Sequence, residues 1–541
     1  MQIAYRFMIT VFYFQLFAAN TYPNQPEPEW FVAPVSFVSS NLPILVIDTD
    51  NQQQIPDEPK ITASMGIIHN GNGQINHISD PPNHYKGLIG IELRGNSSQS
   101  FPKKPYNIET RDSLGNNLNV SLFGMPAEND WVLRASYMDH TFVRNPLAMH
   151  MSRQTGRWAS RCHMVELVLN GTYQGIYTFM EKIKWDEGRV DITKLEPTDI
   201  QKPEISGGYI YEITGFDTNL GESRNLKYPK FDEAAPQQID YITAYDNGFR
   251  DCMYTPEYMD DTTGYHSWID VESFTSELLV QEAMRNSDAY GWSGYFHKDR
   301  QGKINAGPAW DFDQSAGNSS YPDNGVTDQW LFSHSGTSNT PFFWPKLFSD
   351  PSFRYRVRVQ WEQLRENEFR TDQLLSYVDS IAELLSEAQV REFEQWPVLG
   401  QNIWRETNGY MERTSYQKEV DYLKSFLTQR WEWIDGELAK ISAPVNTASL
   451  NQQPGVEELL VYPNPASEFL IFEFKTEMES LAEIRIYNTS GILVQKSPPI
   501  NLSDGSSQYR LEFEGARTNG LFFYQISIGN RTLYSGRFIR L

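Results

Sequence analysis

The clearest local signal in the chain is Val165-Glu166-Leu167-Val168-Leu169-Asn170-Gly171, followed by a second strand-like run over 173–180. Both runs are rich in β-branched and aromatic residues, which favour strands. Asn-Gly between two such runs favours a type I′ turn, whose positive φ values suit the twist of a hairpin. The stretch therefore predicts a β-hairpin.

Residues around this hairpin, from 36 to 213, are mostly strand-like. Short apolar runs at 44–47 and 88–93 are further strand candidates. A short helix is predicted over 146–154, with Gly156 as its stop. The first part of the chain is therefore predicted to be rich in strands.

After residue 239 the apolar residues recur with a helical period. Asp270 is a candidate N-cap for a helix over 271–285, and the stretches 353–393 and 416–441 are long, charged and amphipathic. A strand-rich half followed by a helix-rich half predicts an α+β fold with a cleft between two lobes.

The two ends of the chain differ from its middle. Residues 1–20 have a basic Arg6, an apolar run and the small pair Ala18-Ala19, which is the pattern of a signal peptide. A polar stretch over 442–455 is predicted to be a linker. Beyond it, 456–541 alternates apolar and polar residues in short runs separated by turns, which predicts a small β-sandwich. We expect no transmembrane segment in the mature chain.

The composition narrows the range of functions. The formal net charge is −23, so nucleic acid is not expected to be the main partner. Aromatic residues make up 14% of the chain, which excludes a wholly disordered protein. Two cysteines, Cys162 and Cys252, cannot form a disulfide framework and lack the spacing of a zinc site.

Carboxylates that could perform chemistry lie in Trp310-Asp311-Phe312-Asp313. In an extended chain the two aspartates share a face while the aromatic residues pack inward. Two carboxylates on an apolar support suit Mg²⁺ or Mn²⁺. The alternative is a turn whose aspartates accept backbone N–H groups.

Asp288 lies just beyond the predicted helix 271–285. A hairpin between it and Asp311 would bring both carboxylates to one edge of the cleft. Phosphoryl transfer needs one carboxylate to orient the attacking hydroxyl and another to hold the metal. Alternatively, Asp288 is a helix-end or turn residue.

Polar and basic residues follow the strand candidate at 88–93, in the stretch Arg94-Gly95-Asn96-Ser97-Ser98-Gln99-Ser100-Phe101-Pro102-Lys103-Lys104. Such a turn can offer N–H groups and cations to phosphate oxygens, although a solvated hairpin tip has the same pattern. Glu181 is a candidate partner for a buried lysine, or else an exposed residue at a strand end. Arg144 is either a second phosphate clamp or a partner of Asp139.

These motifs together resemble the spore-coat-protein-H (CotH) kinase family. The resemblance rests on the arginine-to-lysine stretch above, Asp130-Trp131-Val132-Leu133, Asp139 with Arg144-Asn145, the hairpin, Glu181-Lys182-Ile183, Gly207-Gly208-Tyr209 and Gly307-Pro308-Ala309-Trp310-Asp311-Phe312-Asp313. It covers residues 36–441 in consistent order. It implies an atypical, bilobal protein-kinase-like domain that uses ATP and Mg²⁺ or Mn²⁺ to phosphorylate Ser or Thr hydroxyls of a protein.

The resemblance also implies roles for single residues. Asp288 matches the catalytic aspartate and Asp311 the metal-binding aspartate, with Asp313 beside it. Lys103 or Lys104 would contact phosphate, with Glu181 as the partner of that lysine. Arg94, Ser97, Ser98 and Arg144 complete the expected nucleotide site. Ser293 stands where many members of the family have a metal-binding Asn, which leaves a non-catalytic nucleotide binder possible.

The last domain, 456–541, resembles the type A sorting domain of type IX secretion in Bacteroidetes. The resemblance rests on Val461-Tyr462-Pro463-Asn464-Pro465-Ala466-Ser467, Asn519-Gly520-Leu521-Phe522-Phe523-Tyr524 and the closing run 535–541. It implies the type IX secretion machinery as a partner and a secreted or surface-attached protein.

Three functions are therefore open. The first is a secreted CotH-like kinase. The second is a kinase-like shell that serves as a surface adhesin or glycan-associated protein. The third is a glycosidase that uses Asp311 and Asp288 as a carboxylate pair and needs no metal.

Overall fold

The computed structural model describes residues 35–442 except 216–217, 222, 324 and 334–340, then 446–447, and then 458–540 except 477–479, 489–491, 504, 514–518 and 529–530. The predicted signal peptide and most of the predicted linker lie outside the described residues.

Strands dominate the N-terminal region, as the sequence predicts. They are β1 Ser39–Ser40, β2 Ile44–Thr49, β3 Ile61–Ile68, β4 Asn76–His77, β5 Tyr85–Leu93, β6 Tyr106–Arg111, β7 Asp130–Arg134, β8 Cys162–Leu169 and β9 Thr172–Glu181. The hairpin is confirmed, because β8 and β9 pair through a turn in which Asn170 and Gly171 have φ values of 49° and 74°.

Seven of these strands close a barrel in the order β2-β3-β5-β6-β7-β9-β8. Closure depends on the parallel pairing of β2 with β8, from Ile44 opposite Glu166 to Ile47 opposite Leu169. Apolar side chains such as Trp131 fill its interior and are fully buried. A closed barrel has no open edge, so the backbone of this region is paired all the way round.

A second sheet follows the barrel in the chain. Its strands are β10 Tyr209–Ile213, β11 Arg224–Tyr228, β12 Gly294–Lys298 and β13 Ile304–Ala306, in the order β11-β10-β12-β13. The hairpin predicted between Asp288 and Asp311 is formed by β12 and β13.

The described residues contain eight helices. They are α1 Arg144–Gln154, α2 Pro236–Tyr254, α3 Val271–Met284, α4 Phe343–Ser349, α5 Pro351–Glu366, α6 Thr371–Leu384, α7 Ala388–Gln395 and α8 Tyr416–Ala439. Asp270 caps α3 by accepting the Ser273 N–H at 2.7 Å, as predicted. The long helical stretch predicted over 353–393 is divided into α5, α6 and α7.

The C-terminal residues form β-sheets. Their strands are β14 Asn446–Thr447, β15 Glu458–Tyr462, β16 Phe469–Thr476, β17 Ser480–Asn488, β18 Leu493–Lys496, β19 Ile500–Leu502, β20 Gly505–Glu512, β21 Gly520–Ile528 and β22 Arg531–Arg540. One sheet has the order β14-β15-β16-β20 and the other β18-β17-β21-β22, with β19 paired to β17. Alternate residues such as Leu470, Phe472 and Phe474 are buried in the core that both sheets share.

The α+β class predicted from the sequence is confirmed. The bilobal kinase-like arrangement of the barrel and the helices stays a prediction. In the described parts of the chain, no helix is both long enough and apolar enough to cross a membrane.

Candidate active site

The aspartates of the Trp310-Asp311-Phe312-Asp313 motif lie in a loop that follows β13. Trp310 and Phe312 are buried, as the sequence predicts. The loop is not extended, however, because Asp311 has a φ of 66°. Strand alternation therefore does not explain why the two aspartates converge. The cause is a shared partner on the barrel.

That partner is Arg134, the last residue of β7. Its Nε lies 3.2 and 3.1 Å from the two carboxylate oxygens of Asp313, and its Nη2 lies 2.8 Å from Asp313 Oδ2. Nη2 also donates to Asp311 Oδ1. The Arg134 side chain is only 5% exposed. Sequence reasoning missed this residue, although it directly follows the quoted Asp130-Trp131-Val132-Leu133.

Asparagine side chains fix the loop on both sides. Asn145 accepts the Phe312 N–H at 2.9 Å and donates to Asp313 Oδ1. Asn286 donates to the Asp311 carbonyl at 3.0 Å. Because amides both donate and accept, they hold the backbone and one carboxylate together.

Asp288 lies in the turn after α3, near the same carboxylates. Its Oδ2 accepts a hydrogen bond from Gln314 Nε2 at 3.1 Å. Burial and then the charge of Asp311 raise its pKa to about 7, with Arg405 acting in the opposite direction. The structure thus brings Asp288 close enough to Asp311 for their charges to interact. A pKa near neutrality suits a group that takes up and releases a proton.

The other two carboxylates respond to burial and to Arg134 differently. For Asp311, burial acts to raise the pKa, but the charges of Arg134 and Arg94 outweigh it and the pKa is lowered. For Asp313, burial dominates over Arg134 and the pKa is raised. Asp311 therefore carries the more secure negative charge of the pair.

Ser293, which departs from the family pattern, lies beside the metal-binding candidate. Its hydroxyl donates to Asp311 Oδ2 at 3.2 Å. Its φ is 53°, so it shares the uncommon left-handed conformation with Asp311. The left-handed conformation costs energy for a residue other than glycine, and residues that adopt it often cluster at functional sites.

Arg94 lies at the end of β5 and faces this cluster. Its guanidinium carbon is 5.6 Å from the centre of the Trp310 ring. Burial and then the charge of Arg134 lower its pKa, while Asp311 opposes them. Among the described residues no side-chain hydrogen bond is made by Arg94. Lys182 is a further cation that sequence reasoning did not single out; burial lowers its pKa, and the charge of Arg94 adds to this.

The polar stretch after Arg94 forms a tight turn. Gly95 has a φ of 86°, and residues 97–100 form one turn of 3₁₀-helix that includes both Ser97 and Ser98. Lys104 Nζ donates to the Gln99 carbonyl at 2.7 Å, so this lysine closes the turn. Ser97 is exposed.

Lys103 pairs with a carboxylate on α7, and the predicted pairing of a lysine with Glu181 is wrong. The Lys103 side chain is fully buried, and its Nζ lies 2.6 Å from Glu392 Oε1 on α7 and 2.6 Å from the Ile176 carbonyl. Glu181 instead binds Arg161, at 2.7 Å between Oε1 and Nη2. Glu181 therefore binds a cation other than the lysine that the sequence suggested, and Lys103 binds a carboxylate that the sequence did not suggest.

Arg144 takes the second of the two roles open to it. It is fully buried, and its Nη1 lies 2.6 Å from Asp139 Oδ1. Its Nε donates to the Ser315 carbonyl at 2.9 Å. Arg144 therefore holds the segment after Asp313.

The donor set fits a divalent cation at one aspartate. Within the described residues, no group of three or more His, Cys, Asp or Glu side chains is arranged to hold a metal ion. Mg²⁺ needs only one or two carboxylates, because water and substrate phosphates complete its shell. Asp311, 34% exposed, fits this requirement, whereas both oxygens of Asp313 are taken by Arg134 and Asn145.

A cavity of about 440 Å³ lies elsewhere, among the helices. Its lining includes Trp330, Phe348, Arg354 and Lys440, and none of the candidate site residues. Shifted pKa values and close opposite charges distinguish the carboxylate cluster from this cavity and mark it as the candidate site.

Comparison with known protein families finds two family models that match different parts of the chain. The model of the CotH kinase protein family matches residues 91–434, which is more than half of the chain. The chain therefore belongs to the CotH kinase family. This membership suggests the use of a nucleotide and a divalent metal.

A second family model, the secretion system C-terminal sorting domain, matches residues 460–539. It implies handling by type IX secretion and a secreted or cell-surface location. A search of curated proteins finds no match.

Two solved structures have local likenesses to the chain. Dimeric latent PorU from Porphyromonas gingivalis is 18% identical over 17% of this chain and 10% of its own, with a TM-score of 0.15. The alkylpurine DNA glycosylase AlkC of Pseudomonas fluorescens, bound to DNA containing an abasic site analog, is 12% identical over 38% of this chain and 56% of its own, with a TM-score of 0.13. Scores this low carry no information about fold or function.

Proposed function

We propose that the protein is a secreted atypical kinase that transfers the γ-phosphate of ATP to Ser or Thr hydroxyls of a protein. The observation that supports this most directly is the clustering of Asp288, Asp311 and two arginines at one place in a chain of the CotH kinase family. Phosphoryl transfer depends on positioning and on charge more than on covalent chemistry.

In this proposal Asp288 is the base. It accepts the proton of the attacking hydroxyl while the hydroxyl oxygen bonds to the γ-phosphorus and ADP departs. Its pKa of about 7 keeps a useful fraction ionised at neutral pH. Gln314, which donates to its Oδ2, orients the carboxylate.

Asp311 is the residue proposed to hold Mg²⁺ or Mn²⁺, and the ion would neutralise charge on the phosphates. Arg94 is the cation proposed to face those phosphates, because its guanidinium lies over Trp310 and makes no hydrogen bond to the described protein. Trp310 limits where that guanidinium can lie, which reduces the entropy cost of binding an anion. Ser97 and Ser98 stay candidates for the nucleotide site through their turn.

A second function is favoured by a specific observation. Ser293 stands in place of the usual amide ligand, and it donates its hydroxyl to Asp311. A hydroxyl is a poorer ligand than an amide carbonyl, and Asp313 is already engaged by Arg134. A kinase-like surface protein that binds a partner or glycan without catalysis is the alternative.

Calorimetric titration of the full chain with ATP and Mg²⁺, followed by an assay for ADP release, tests the proposal. Asp311→Asn should abolish ADP release and weaken ATP uptake in Mg²⁺ by less than tenfold, because the cations that face the phosphates stay in place. Its thermal stability should change little, because Arg134 keeps its bonds to Asp313. If Asp311→Asn unfolds the protein, the residue is architectural.

Asp435→Asn is a matched control for that variant. Asp435 is also partly exposed, at 39%, and also binds an arginine, Arg365, at 3.0 Å. It lies on α8, outside the carboxylate cluster, so ATP uptake and ADP release should equal those of the wild type. ATP uptake without ADP release would favour the non-catalytic alternative, and sugar cleavage without metal would favour the glycosidase.

A further inference from the structure

The positive charge between Asp311 and Asp313 comes from a side chain of the protein, Arg134. Arg134 donates to both carboxylates from the end of the barrel strand β7. Two aspartates this close would repel each other strongly if no positive charge stood between them. In sites that use two carboxylates for phosphoryl transfer, a divalent cation supplies that charge.

The capacity of Asp313 for further ligands is used up. A carboxylate has about four lone-pair sites. Arg134 Nε contacts both oxygens of Asp313, Arg134 Nη2 donates to Oδ2 and Asn145 Nδ2 donates to Oδ1, so each oxygen receives two contacts. The Asp311 carboxylate is different, because within the described residues it accepts only from Arg134 Nη2 and from the Ser293 hydroxyl, and the side chain is 34% exposed.

We propose that Arg134 is a built-in counter-ion that competes with the divalent cation for Asp311 and so sets the metal dependence of nucleotide binding. A metal ion at Asp311 must displace Nη2 or share the carboxylate with it, and either event weakens metal binding. The part of this inference that concerns nucleotide binding (the nucleotide arm) rests on the proposed function, whereas the part that concerns metal binding (the metal arm) does not.

A second feature of Arg134 agrees with this role. Its Nη1 is buried and has no hydrogen-bond partner among the described residues. A guanidinium has five N–H donors, so the two N–H groups of Nη1 are left over after the two aspartates are bound. Arg134 also lies close enough to Arg94 for their charges to interact. Together with Arg94, Arg134 can hold part of the phosphate charge without metal. Nucleotide binding should therefore survive removal of the metal in part.

The metal arm is tested with the full chain and Mn²⁺ alone, by following free Mn²⁺ with electron paramagnetic resonance. Arg134→Leu should bind Mn²⁺ at least tenfold more tightly than the wild type, and Arg134→Lys should stay close to the wild type. Arg134→Leu leaves Asp313 buried without its cation, so the double variant Arg134→Leu/Asp313→Asn is measured beside it. Arg365→Leu, which removes the partner of Asp435, is the control and should not change Mn²⁺ affinity.

The nucleotide arm compares ATP affinity in Mg²⁺ with that in EDTA. The wild type should lose less than tenfold in EDTA, and Arg134→Leu should lose more than tenfold. Unchanged Mn²⁺ affinity in both the single and the double variant overturns the inference, as does strict dependence of wild-type ATP binding on Mg²⁺. If no variant takes up ATP in either buffer, the proposed function fails, and the Mn²⁺ titration still decides the counter-ion role.

Discussion

Replacing Lys103 by methionine should destabilise the kinase-like domain strongly while leaving ATP affinity of the folded protein nearly unchanged. The ammonium of Lys103 is fully buried and bonds Glu392 and the Ile176 carbonyl, each at 2.6 Å. Methionine fills a similar volume but supplies neither charge nor donors. Glu392 would then be a buried carboxylate without its cation.

The size of the destabilisation depends on how Glu392 responds to the loss of Lys103. Burial already raises its pKa, with Lys103 opposing that rise. Without Lys103, the least costly response is protonation of Glu392 in the folded state. From an ordinary pKa near 4.5, protonation at pH 7 costs about 3 kcal/mol, at about 1.4 kcal/mol per pH unit. This agrees with the ~3–5 kcal/mol lost when one partner of a buried ion pair is removed.

The sign of the pH dependence follows from the same protonation. In the Lys103→Met variant the folded state holds a proton on Glu392 that the unfolded state releases above about pH 4.5. Stability therefore falls as pH rises, and the defect relative to the wild type should grow from pH 5 to pH 7 by at most about 1.4 kcal/mol per unit, because the pKa of Glu392 is itself raised in the wild type.

Urea unfolding of the full chain, followed by tryptophan fluorescence, measures this. A chain of several domains gives more than one transition, so the transition that shifts is the one compared. Glu392→Gln in the Lys103→Met background should recover part of the loss, because the neutral amide needs no cation. Lys424→Met is the control, since Lys424 and Asp379 pair at 2.7 Å on the surface, where a pair contributes only ~0–1 kcal/mol.

One result would refute this reasoning. If Lys103→Met changed stability by less than about 0.5 kcal/mol and abolished ATP binding, Lys103 would have to reach the phosphates in solution. The role assigned to it from the sequence would then be right, and its buried pairing with Glu392 would not describe the active protein.

Two further predictions concern the site itself. Asp288→Asn should abolish ADP release. It should also stabilise the fold by about 1–2 kcal/mol at pH 8 but by less at pH 5. The reason is that the contribution of Asp288 to wild-type stability falls as pH rises from about 4 to about 7. The carboxyl of Glu277 also has a pKa raised to about 7 by burial, so Glu277→Gln should give the same stability change without loss of activity. If both variants lost ADP release equally, Asp288 would have no place in the mechanism. Gly95→Ala should weaken ATP binding, because the new Cβ would clash with Ser98 Oγ in the turn. Gly115 is the control, since it has a similar φ of 87° and open space around it; Gly115→Ala should lose only about 1 kcal/mol of stability to backbone strain and keep its ATP affinity.

Features that depend on neighbours in the sequence were predictable. The Asn170-Gly171 turn, the Asp270 cap and the burial of Trp310 and Phe312 follow from local rules of turn geometry, capping and apolar side chains. Each involves residues only a few positions apart, so no knowledge of the tertiary fold is needed.

Features that depend on distant residues were not predictable. Glu392 lies 289 positions after Lys103, and no spacing rule connects them. The sequence offered Glu181 instead because it ends a strand of the clearest hairpin, but that carboxylate bonds Arg161, 20 positions away. Closure of the barrel by the parallel pairing of β2 with β8 has the same origin.

The loop that carries Asp311 shows where local rules fail at the site itself. An extended chain would have placed Asp311 and Asp313 on one face, yet Asp311 adopts a φ of 66° that a non-glycine residue takes only at a cost of ~1–3 kcal/mol. Bonds from Asn286, Ser293 and Arg134 to this residue offset that cost. The surroundings therefore determine the conformation of Asp311, and residues held against their own preference concentrate where position serves function. Because Arg134 makes one of those bonds, removing its side chain should change both the charge at the site and the restraint on the loop. Arg134→Lys keeps the charge, so comparing it with Arg134→Leu separates the two effects.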